Sequence, residues 1–185
     1  MPKQRLTREM VVQAAFDIAR EQGMEQVLVK NLADRLNCST QPIYSYAKNM
    51  EELRLAVEKL TLSFVDDFVR KRIDPDDLFR SIGRTHITFA REEPHLFRIF
   101  ILQSREGIGH LEQLMGTNSG VDLYIAHQLG ITTEKARQLH LQMLIFTTGL
   151  GTIFISAKPG ISLDEILAQQ DLAYTAFLKM AKEKN

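Results

Sequence analysis

The chain has 185 residues, 44% of them hydrophobic, and equal numbers of basic and acidic side chains give a formal net charge of zero. This length and apolar content suffice for one or two buried cores. A neutral chain argues against a protein that binds nucleic acid through bulk charge alone. The single cysteine, Cys38, rules out an intramolecular disulfide and fits a reducing compartment. The charged N-terminus lacks the apolar segment of a signal peptide, so we expect a cytoplasmic protein.

The first predicted element is an amphipathic helix over residues 8–22. The Thr7 hydroxyl suits its N-cap, and Gly23 stands where such a helix ends. Its buried stripe is formed by apolar side chains at helical spacing, at Val11, Ala14, Ala15, Ile18 and Ala19. Before this helix, Lys3 and Arg5 form either a disordered tail or an arm that contacts DNA. Residues 1–48 carry a local net charge of +2.

Residues 28–53 contain two short amphipathic segments separated by a very tight break. The first, over residues 30–36, is followed by Asn37, which tolerates the left-handed backbone that a sharp turn requires. The Ser39 hydroxyl can cap the second segment, and Pro42 fits only in the first turn of a helix. This pattern predicts a helix-turn-helix, whose second helix enters the DNA major groove.

The exposed side of the second segment carries side chains suited to DNA. Gln pairs well with adenine, Thr offers a hydroxyl and a methyl group, and Tyr and Lys reach phosphate oxygens. The alternative for the two tyrosines is that they pack on the surface as amphipathic aromatic residues. The predicted DNA-binding residues are Lys30, Ser39, Thr40, Gln41, Tyr44, Ser45, Tyr46 and Lys48.

This N-terminal block resembles the DNA-binding domain of the TetR family of bacterial transcriptional regulators. The matching residues, which with their neighbours span about a quarter of the chain, are Ala14-Ala15-Phe16, Gly23, Leu32-Ala33, Ser39, Ile43-Tyr44 and Glu51-Glu52-Leu53. The resemblance implies a three-helix DNA-binding domain over residues 1–48. It implies a helical effector-binding and dimerisation domain over residues 49–185.

The chain departs from the family pattern at four positions. Asn37 replaces the usual turn glycine, and Leu28 stands where the second helix usually starts with Ser or Thr. Ala47 replaces an aromatic residue, and Met50 replaces a lysine that in the family touches phosphate. We expect a changed pattern of phosphate contacts, in which either Lys48 substitutes for that lysine or this phosphate has no lysine partner.

The remainder of the chain is predicted to be helical throughout, without strands or repeats, so the fold class is all-α. A long helix over 50–71 is broken at Asp74-Pro75, and Pro75 is expected to start the next helix. Pro94 is expected to open a short helix after Glu93. The later predicted features are a glycine-interrupted segment over 107–120, a helix over 121–129 ending at Gly130, a cap at Thr132 or Thr133 for a long apolar helix ending at Pro159-Gly160, and a cap at Ser162 for the last helix.

The apolar stretch between Arg137 and Lys158 contains too many polar residues for a membrane span, so we interpret it as a buried helix and expect no membrane partner. Gly149 and Gly151 favour the close approach of another helix there. Either this helix is the core of a monomeric domain or it joins two copies of the chain, as the TetR resemblance implies. The predicted homodimer interface comprises Leu139, Met143, Phe146, Leu150, Phe154, Leu172 and Phe177.

Phenylalanines cluster in the middle helices, together with a few polar side chains. The resemblance implies a small-molecule pocket there, and an aromatic lining suits an apolar or amphipathic effector. The alternative is a plain hydrophobic core. The predicted ligand-binding residues are Phe64, Phe68, His86, Phe89, Phe97 and Phe100.

No sequence motif points to catalysis. The five histidines lack metal-ligand spacing, no glycine-rich phosphate loop follows a strand, and no nucleophile lies in a recognisable turn. We therefore expect no enzyme, no metal and no cofactor. The sequence indicates a dimeric regulator of double-stranded operator DNA, a repressor by default because a bound dimer blocks polymerase. The alternative is a helical protein-interaction adaptor that has lost operator recognition, which Leu28, Ala47 and Met50 motivate.

Overall fold

The computed structural model describes residues 6–46, 49–102, 119–156 and 160–183. Over these ranges the chain forms nine α-helices and one short 3-10 helix, without a strand, so the predicted all-α class is confirmed. The predictions on Lys3, Arg5, Ala47, Lys48 and Pro159, and on residues 107–118 of the glycine-interrupted segment, lie outside the described residues; residues 119 and 120 already belong to the helix that was predicted from 121. The helices are α1 (Arg8–Gln22), the 3-10 helix (Met24–Gln26), α2 (Val29–Arg35), α3 (Thr40–Tyr46), α4 (Met50–Arg70), α5 (Leu78–Glu92), α6 (Pro94–Leu102), α7 (Ser119–Leu129), α8 (Thr133–Ser156) and α9 (Leu163–Lys182).

The chain divides into two compact units. The first comprises Met1–Asp67 and Glu93–Gln103, and the second comprises Phe68–Glu92 and Ser104–Asn185. The first unit takes in most of α4 and all of α6 besides residues 1–48, and the functional division at residue 48 stays a prediction.

The first unit is built on the apolar face of α1. Thr7 caps this helix, since its hydroxyl oxygen accepts a hydrogen bond from the backbone N–H of Met10 at 3.3 Å. Gly23 ends it with a φ of 100°, a conformation that L side chains rarely adopt. Helix α1 packs against the 3-10 helix, α2, α3 and α6. The buried apolar side chains of this unit include Val11, Ala15, Ile18, Val27, Leu32, Ile43, Leu53 and Val57.

The second unit is a layer of helices in which α5, α7 and α9 all contact α8. One part of its core is formed by aromatic and aliphatic side chains from all four helices, at Phe79, Ile125, Ala126, Ala136, Leu139, Met143 and Tyr174. A polar pair lies at the edge of this core: Nδ1 of His140 lies 2.9 Å from Oδ1 of Asp122, and the His140 ring meets Phe79 edge-on. Helix α8 is therefore held on several sides by its own chain.

Local signals set most of the helix ends as predicted. Pro94 is the first residue of α6, Gly130 follows α7 with a φ of 65°, and the Thr132 hydroxyl accepts from the backbone N–H of Lys135 near the start of α8. Ser162 begins α9 through a reciprocal capping box with Glu165. One prediction is wrong: Pro75 does not start α5, which begins at Leu78.

Helix α8 is the one helix of the described residues that is long and apolar enough to cross a membrane, with a mean hydropathy of 1.4. In the structure it packs against α5, α7 and α9, which accounts for part of its apolar composition, since 28% of its most apolar 18-residue window is buried.

Candidate nucleic-acid interface

The turn between α2 and α3 is fixed by backbone geometry. Asn37 adopts a φ of 49°, the left-handed conformation predicted for it. The Cys38 N–H donates to the Ala33 carbonyl at 3.0 Å, and the Asn37 N–H donates to the Asp34 carbonyl at 3.2 Å. These two bonds form a Schellman motif, which satisfies carbonyls that the end of α2 would otherwise leave unpaired. The turn therefore sets a defined direction for α3.

Helix α3 is anchored by one fully buried side chain, and most of its other side chains are exposed. Ile43 is completely buried, so it anchors the helix in the core of the first unit. Pro42 lies in the first turn, as predicted. Five of the predicted DNA-binding side chains from this helix or directly before it are exposed, namely Ser39, Thr40, Gln41, Tyr44 and Ser45, and Tyr46 is half-buried. The arrangement presents hydroxyl, amide and phenol groups to solvent on a rigid support.

An ion pair joins α1 to α2, the first helix of the helix-turn-helix, and holds the two helices together. The Arg35 guanidinium donates to both carboxylate oxygens of Glu21, and Asp17 lies 4.0 Å away. The hydrogen bond from Arg35 lowers the pKa of the Glu21 carboxyl group. Arg35 therefore has a structural partner although it is exposed, and Lys30 near the start of α2 is exposed as well.

Besides Asn37 in the turn, two other departures from the family pattern fall on described residues. Leu28 precedes α2 in extended conformation and is 47% exposed, so α2 begins without a side-chain cap. Met50 is the first residue of α4 and is half-buried. Asn49 supports that helix start, because its side-chain oxygen accepts from the Glu51 N–H at 2.9 Å.

Within the first unit, α1 is also tied to α6. The Arg20 guanidinium donates to both oxygens of Glu93, with Nε at 2.8 Å from Oε2. The same guanidinium lies 4.9 Å from the centre of the Phe64 ring, which packs on Phe16. This contact joins α1, on which α2 and α3 pack, to the start of α6 at Pro94.

The predicted ligand-binding residues fall in both units. In the second unit, the rings of Phe68 and Phe89 meet edge-on at 5.3 Å, and Nδ1–H of half-buried His86 donates to the carbonyl of Ile82. In the first unit, Phe97 and Phe100 pack together at 6.4 Å, and Phe64 contacts α1. The predicted residues are thus divided between the two units, and a shared effector pocket remains a prediction.

The predicted dimer residues divide by burial. Leu139, Met143 and Phe154 are buried within the single chain, so they leave little surface for a second copy. Phe146, Leu150 and Phe177 are half-buried, and Phe146 packs edge-on against Phe177. Leu172 is 65% exposed. Two further apolar residues on the same two helices, Ile145 and Met180, are exposed and were not predicted.

Two buried polar residues were also not recognised as a site. Gln170 on α9 is completely buried, and Thr147 on α8 is 8% exposed. The sequence carried a signal for the first, because a glutamine occurs at the helical spacing of Ile166 and Tyr174, where an apolar residue is expected.

Comparison with known proteins follows this geometry. No family model matches the chain. It is 29% identical over 106 residues to the uncharacterized HTH-type transcriptional regulator YobS of Bacillus subtilis (strain 168), covering 55% of each protein. It is 27% identical over 171 residues to the tetracycline repressor protein class D of Escherichia coli, covering 90% of this chain and 68% of that protein. The chain thus spans about half the length of the first of these curated relatives.

A solved structure supports the same fold. A TetR variant from Acinetobacter baumannii AYE, crystallised in complex with minocycline, superposes with a TM-score of 0.65 at 15% identity, covering 97% of this chain and all of that one. The fold and the exposed α3 define an all-α helix-turn-helix protein. In sequence and fold the chain is similar to TetR-type repressors and HTH-type regulators, which confirms the resemblance drawn from its N-terminal residues.

Proposed function

We propose that this protein is a dimeric transcriptional regulator that binds a palindromic operator in double-stranded DNA, as a repressor, and releases it when a small-molecule effector binds. The observation that carries the proposal is the exposed polar face of α3, anchored by buried Ile43 behind a fixed turn. Thr40, Gln41 and Ser45 are exposed, and their side chains are long enough to reach base edges in the major groove. Tyr44 suits a phosphate contact that sets orientation.

The dimeric state is supported by apolar surface on α8 and α9. Ile145, Leu172 and Met180 are each more than half exposed in the single chain, and exposed apolar patches of this kind mark sites of association. A two-fold dimer would present two copies of α3 to half-sites about 34 Å apart, one turn of DNA.

The effector is proposed from the second unit and from a relative. The superposed TetR variant binds minocycline, and the aromatic side chains of α4 and α5 in this chain suit an apolar or amphipathic molecule. Release of DNA requires that effector and operator prefer different arrangements of the protein, with a coupling free energy of about 1–3 kcal/mol.

No enzymatic activity is part of the proposal, because the relatives are transcriptional regulators. Within the described ranges no group of three or more His, Cys, Asp or Glu side chains could hold a metal ion. We place the protein in the cytoplasm, where a DNA-binding regulator acts and where Cys38 stays reduced.

Selection of bound fragments from a genomic DNA pool at near-physiological salt tests the proposal. We expect enrichment of an inverted repeat, which would report operator binding and two-fold symmetry together. Folded protein that enriches no sequence, and whose affinity for all DNA falls equally with salt, would instead favour the adaptor alternative.

A further inference from the structure

Three buried polar atoms of α8 and α9 have no hydrogen-bond partner among the described residues. They are Oε1 and Nε2 of Gln170 and Oγ1 of Thr147. Folded proteins pair the great majority of such groups, and an unpaired buried donor or acceptor is unfavourable because it has lost its water without replacement. Three such atoms close together indicate a binding site for a polar group of a ligand.

The three atoms lie around one point on α5. A Cβ atom placed on Gly83 would lie 2.7 Å from Nε2 of Gln170 and 3.5 Å from Oγ1 of Thr147. Any larger residue at this position would push the Gln170 amide aside, so the glycine gives the amide its place. We refer to Gly83, Thr147 and Gln170 as the polar cluster.

Apolar layers enclose the polar cluster on both sides. The residues one helical turn before and after each member of the polar cluster are all buried. Except for Gly151, they are large apolar or aromatic residues. They are Phe79 and Ile87 on α5, Met143 and Gly151 on α8, and Ile166 and Tyr174 on α9. A polar layer between apolar layers costs stability unless its groups are paired.

The charged neighbours of the polar cluster on α5 and α9 are already paired with one another. They are Arg80, Arg84 and Asp171, and both guanidiniums donate to the Asp171 carboxylate. An ionised group at the polar cluster would therefore be buried without a counter-charge from these three side chains. A neutral guest that both donates and accepts hydrogen bonds can satisfy the amide and the hydroxyl together.

We propose that the polar cluster recognises the effector by binding one neutral group that is both donor and acceptor, such as a carboxamide or a hydroxyl. The apolar layers then contact the rest of the molecule, which makes the effector amphipathic and uncharged at its inner end. This inference rests on the proposed effector-dependent function and names the chemistry of the ligand.

The first test is the stability of the free protein. Gln170→Met and Thr147→Val keep side-chain volume and remove the unpaired atoms, so we expect the Tm to stay equal or to rise by roughly 2–5 °C. Gln169→Met, an exposed neighbour on α9, is the matched control and should leave the Tm unchanged. A fall of Tm in both cluster variants, or their failure to fold, would show that the groups stabilise the fold through internal bonds and would overturn the inference.

The second test uses three matched probes at millimolar concentration: benzamide, benzoate and ethylbenzene. The Gln170 side-chain amide resonance is identified in ¹⁵N-labelled protein by its loss in Gln170→Met. We expect benzamide to shift this resonance and to raise the Tm of the wild-type protein but not of Gln170→Met, and benzoate to do neither. Ethylbenzene should affect both proteins alike. An unmoved resonance, or an equal benzamide effect on both proteins, contradicts the inference.

The outcome is separable from that of the proposed function. If the protein enriches an inverted repeat but benzamide does not shift the Gln170 resonance, the proposed ligand chemistry is rejected and the proposed regulatory function stands. Benzamide binding through Gln170 without any enriched DNA sequence would reject operator recognition and keep the neutral polar site.

Discussion

Asn37 supplies the left-handed residue that the turn before α3 needs, with a φ of 49°. Glycine adopts this conformation without the steric cost of a Cβ atom, whereas alanine has no side-chain hydrogen bond to offset it. We therefore expect Asn37→Gly to hold or slightly raise the free energy of unfolding and Asn37→Ala to lower it by about 1 kcal/mol. Urea unfolding of the three proteins measures this. Equal stability of the Ala and Gly variants would show that the turn relaxes to another conformation.

Gln41 is exposed on α3 and is the side chain of this helix best suited to a base edge. Gln41→Ala should cost about 1–3 kcal/mol on the preferred operator and much less on other sequences, so that base preference relaxes at one position of each half-site. Competition binding with single-base operator variants measures the change. Gln22→Ala, an exposed glutamine at the end of α1, serves as the control. Unchanged preference in Gln41→Ala would mean that another face of α3 reads the DNA.

Lys48 follows α3 in the sequence and is predicted to contact phosphate. Lys48→Ala should weaken binding to all DNA sequences alike and flatten the dependence of affinity on salt by about one unit of slope. Titrations at several salt concentrations, on operator and unrelated DNA, test this. A weakening confined to the operator would instead assign Lys48 to a base edge.

At the scale of elements, α5 and α9 are joined by an ion-pair network. Arg80 and Arg84 both donate to Asp171, whose carboxylate is about three-quarters buried. The hydrogen bond from Arg80 lowers the pKa of Asp171, and Arg84 adds to this effect while burial opposes it. A carboxyl group whose pKa is lowered in the folded state stabilises the protein at pH values above the ordinary aspartate pKa of about 3.9. This contribution is lost as the pH falls below that pKa.

The prediction is that Asp171→Asn lowers the free energy of unfolding by about 1 kcal/mol at pH 7, a modest figure because both arginines are more than a third exposed to screening solvent. The difference from the wild-type protein should shrink as pH falls below about 4. Urea unfolding across pH 2–7 measures it, with exposed Asp66→Asn as the control. A difference that stays constant with pH would mean that Asp171 acts through packing rather than charge.

The helix boundaries were predictable where a single residue decides them. Thr7, Thr132 and Ser162 cap helices by accepting from backbone N–H groups three residues away, so the local sequence contains the information. Gly23 and Pro94 act through their own backbone conformation, which is also local. Pro75 failed as a helix start because proline only permits a first turn and does not require one. Asp74 and Ser81 bond across this segment instead, with Ser81 Oγ accepting from the Asp74 N–H.

Contacts between distant elements were not predictable. The stripe on α8 was correctly recognised as too apolar for water, but sequence periodicity does not say whether the covering surface is the same chain or a second one. The structure places Leu139 and Met143 in the core of their own unit. Likewise, Gly83, Thr147 and Gln170 lie on three helices, and their proximity depends on how those helices pack. The exposed face of α3 was predictable because one buried residue, Ile43, sets it.

At the scale of the whole molecule, burial separates residues that hold the fold from those available to a partner. Met143 is buried within the chain, so Met143→Ala should lower the free energy of unfolding by about 2–5 kcal/mol. Leu172 is 65% exposed, so a substitution there should leave the fold of the single chain intact. The two variants therefore distinguish a core role from an interface role on neighbouring helices.

Leu172→Glu should weaken the proposed dimer by about 2–3 kcal/mol, roughly 30- to 150-fold in Kd, because each copy would bury an unpaired carboxylate. Sedimentation velocity across a concentration series measures the Kd, and circular dichroism confirms that the variant stays folded. Leu55→Glu, an exposed leucine of α4 in the first unit, is the matched control. Operator affinity should fall in Leu172→Glu, together with dimer formation, but not in Leu55→Glu, because a monomer presents one copy of α3 and contacts one half-site. A fully dimeric Leu172→Glu would place the two-fold interface elsewhere and leave the exposed face of α9 to another partner.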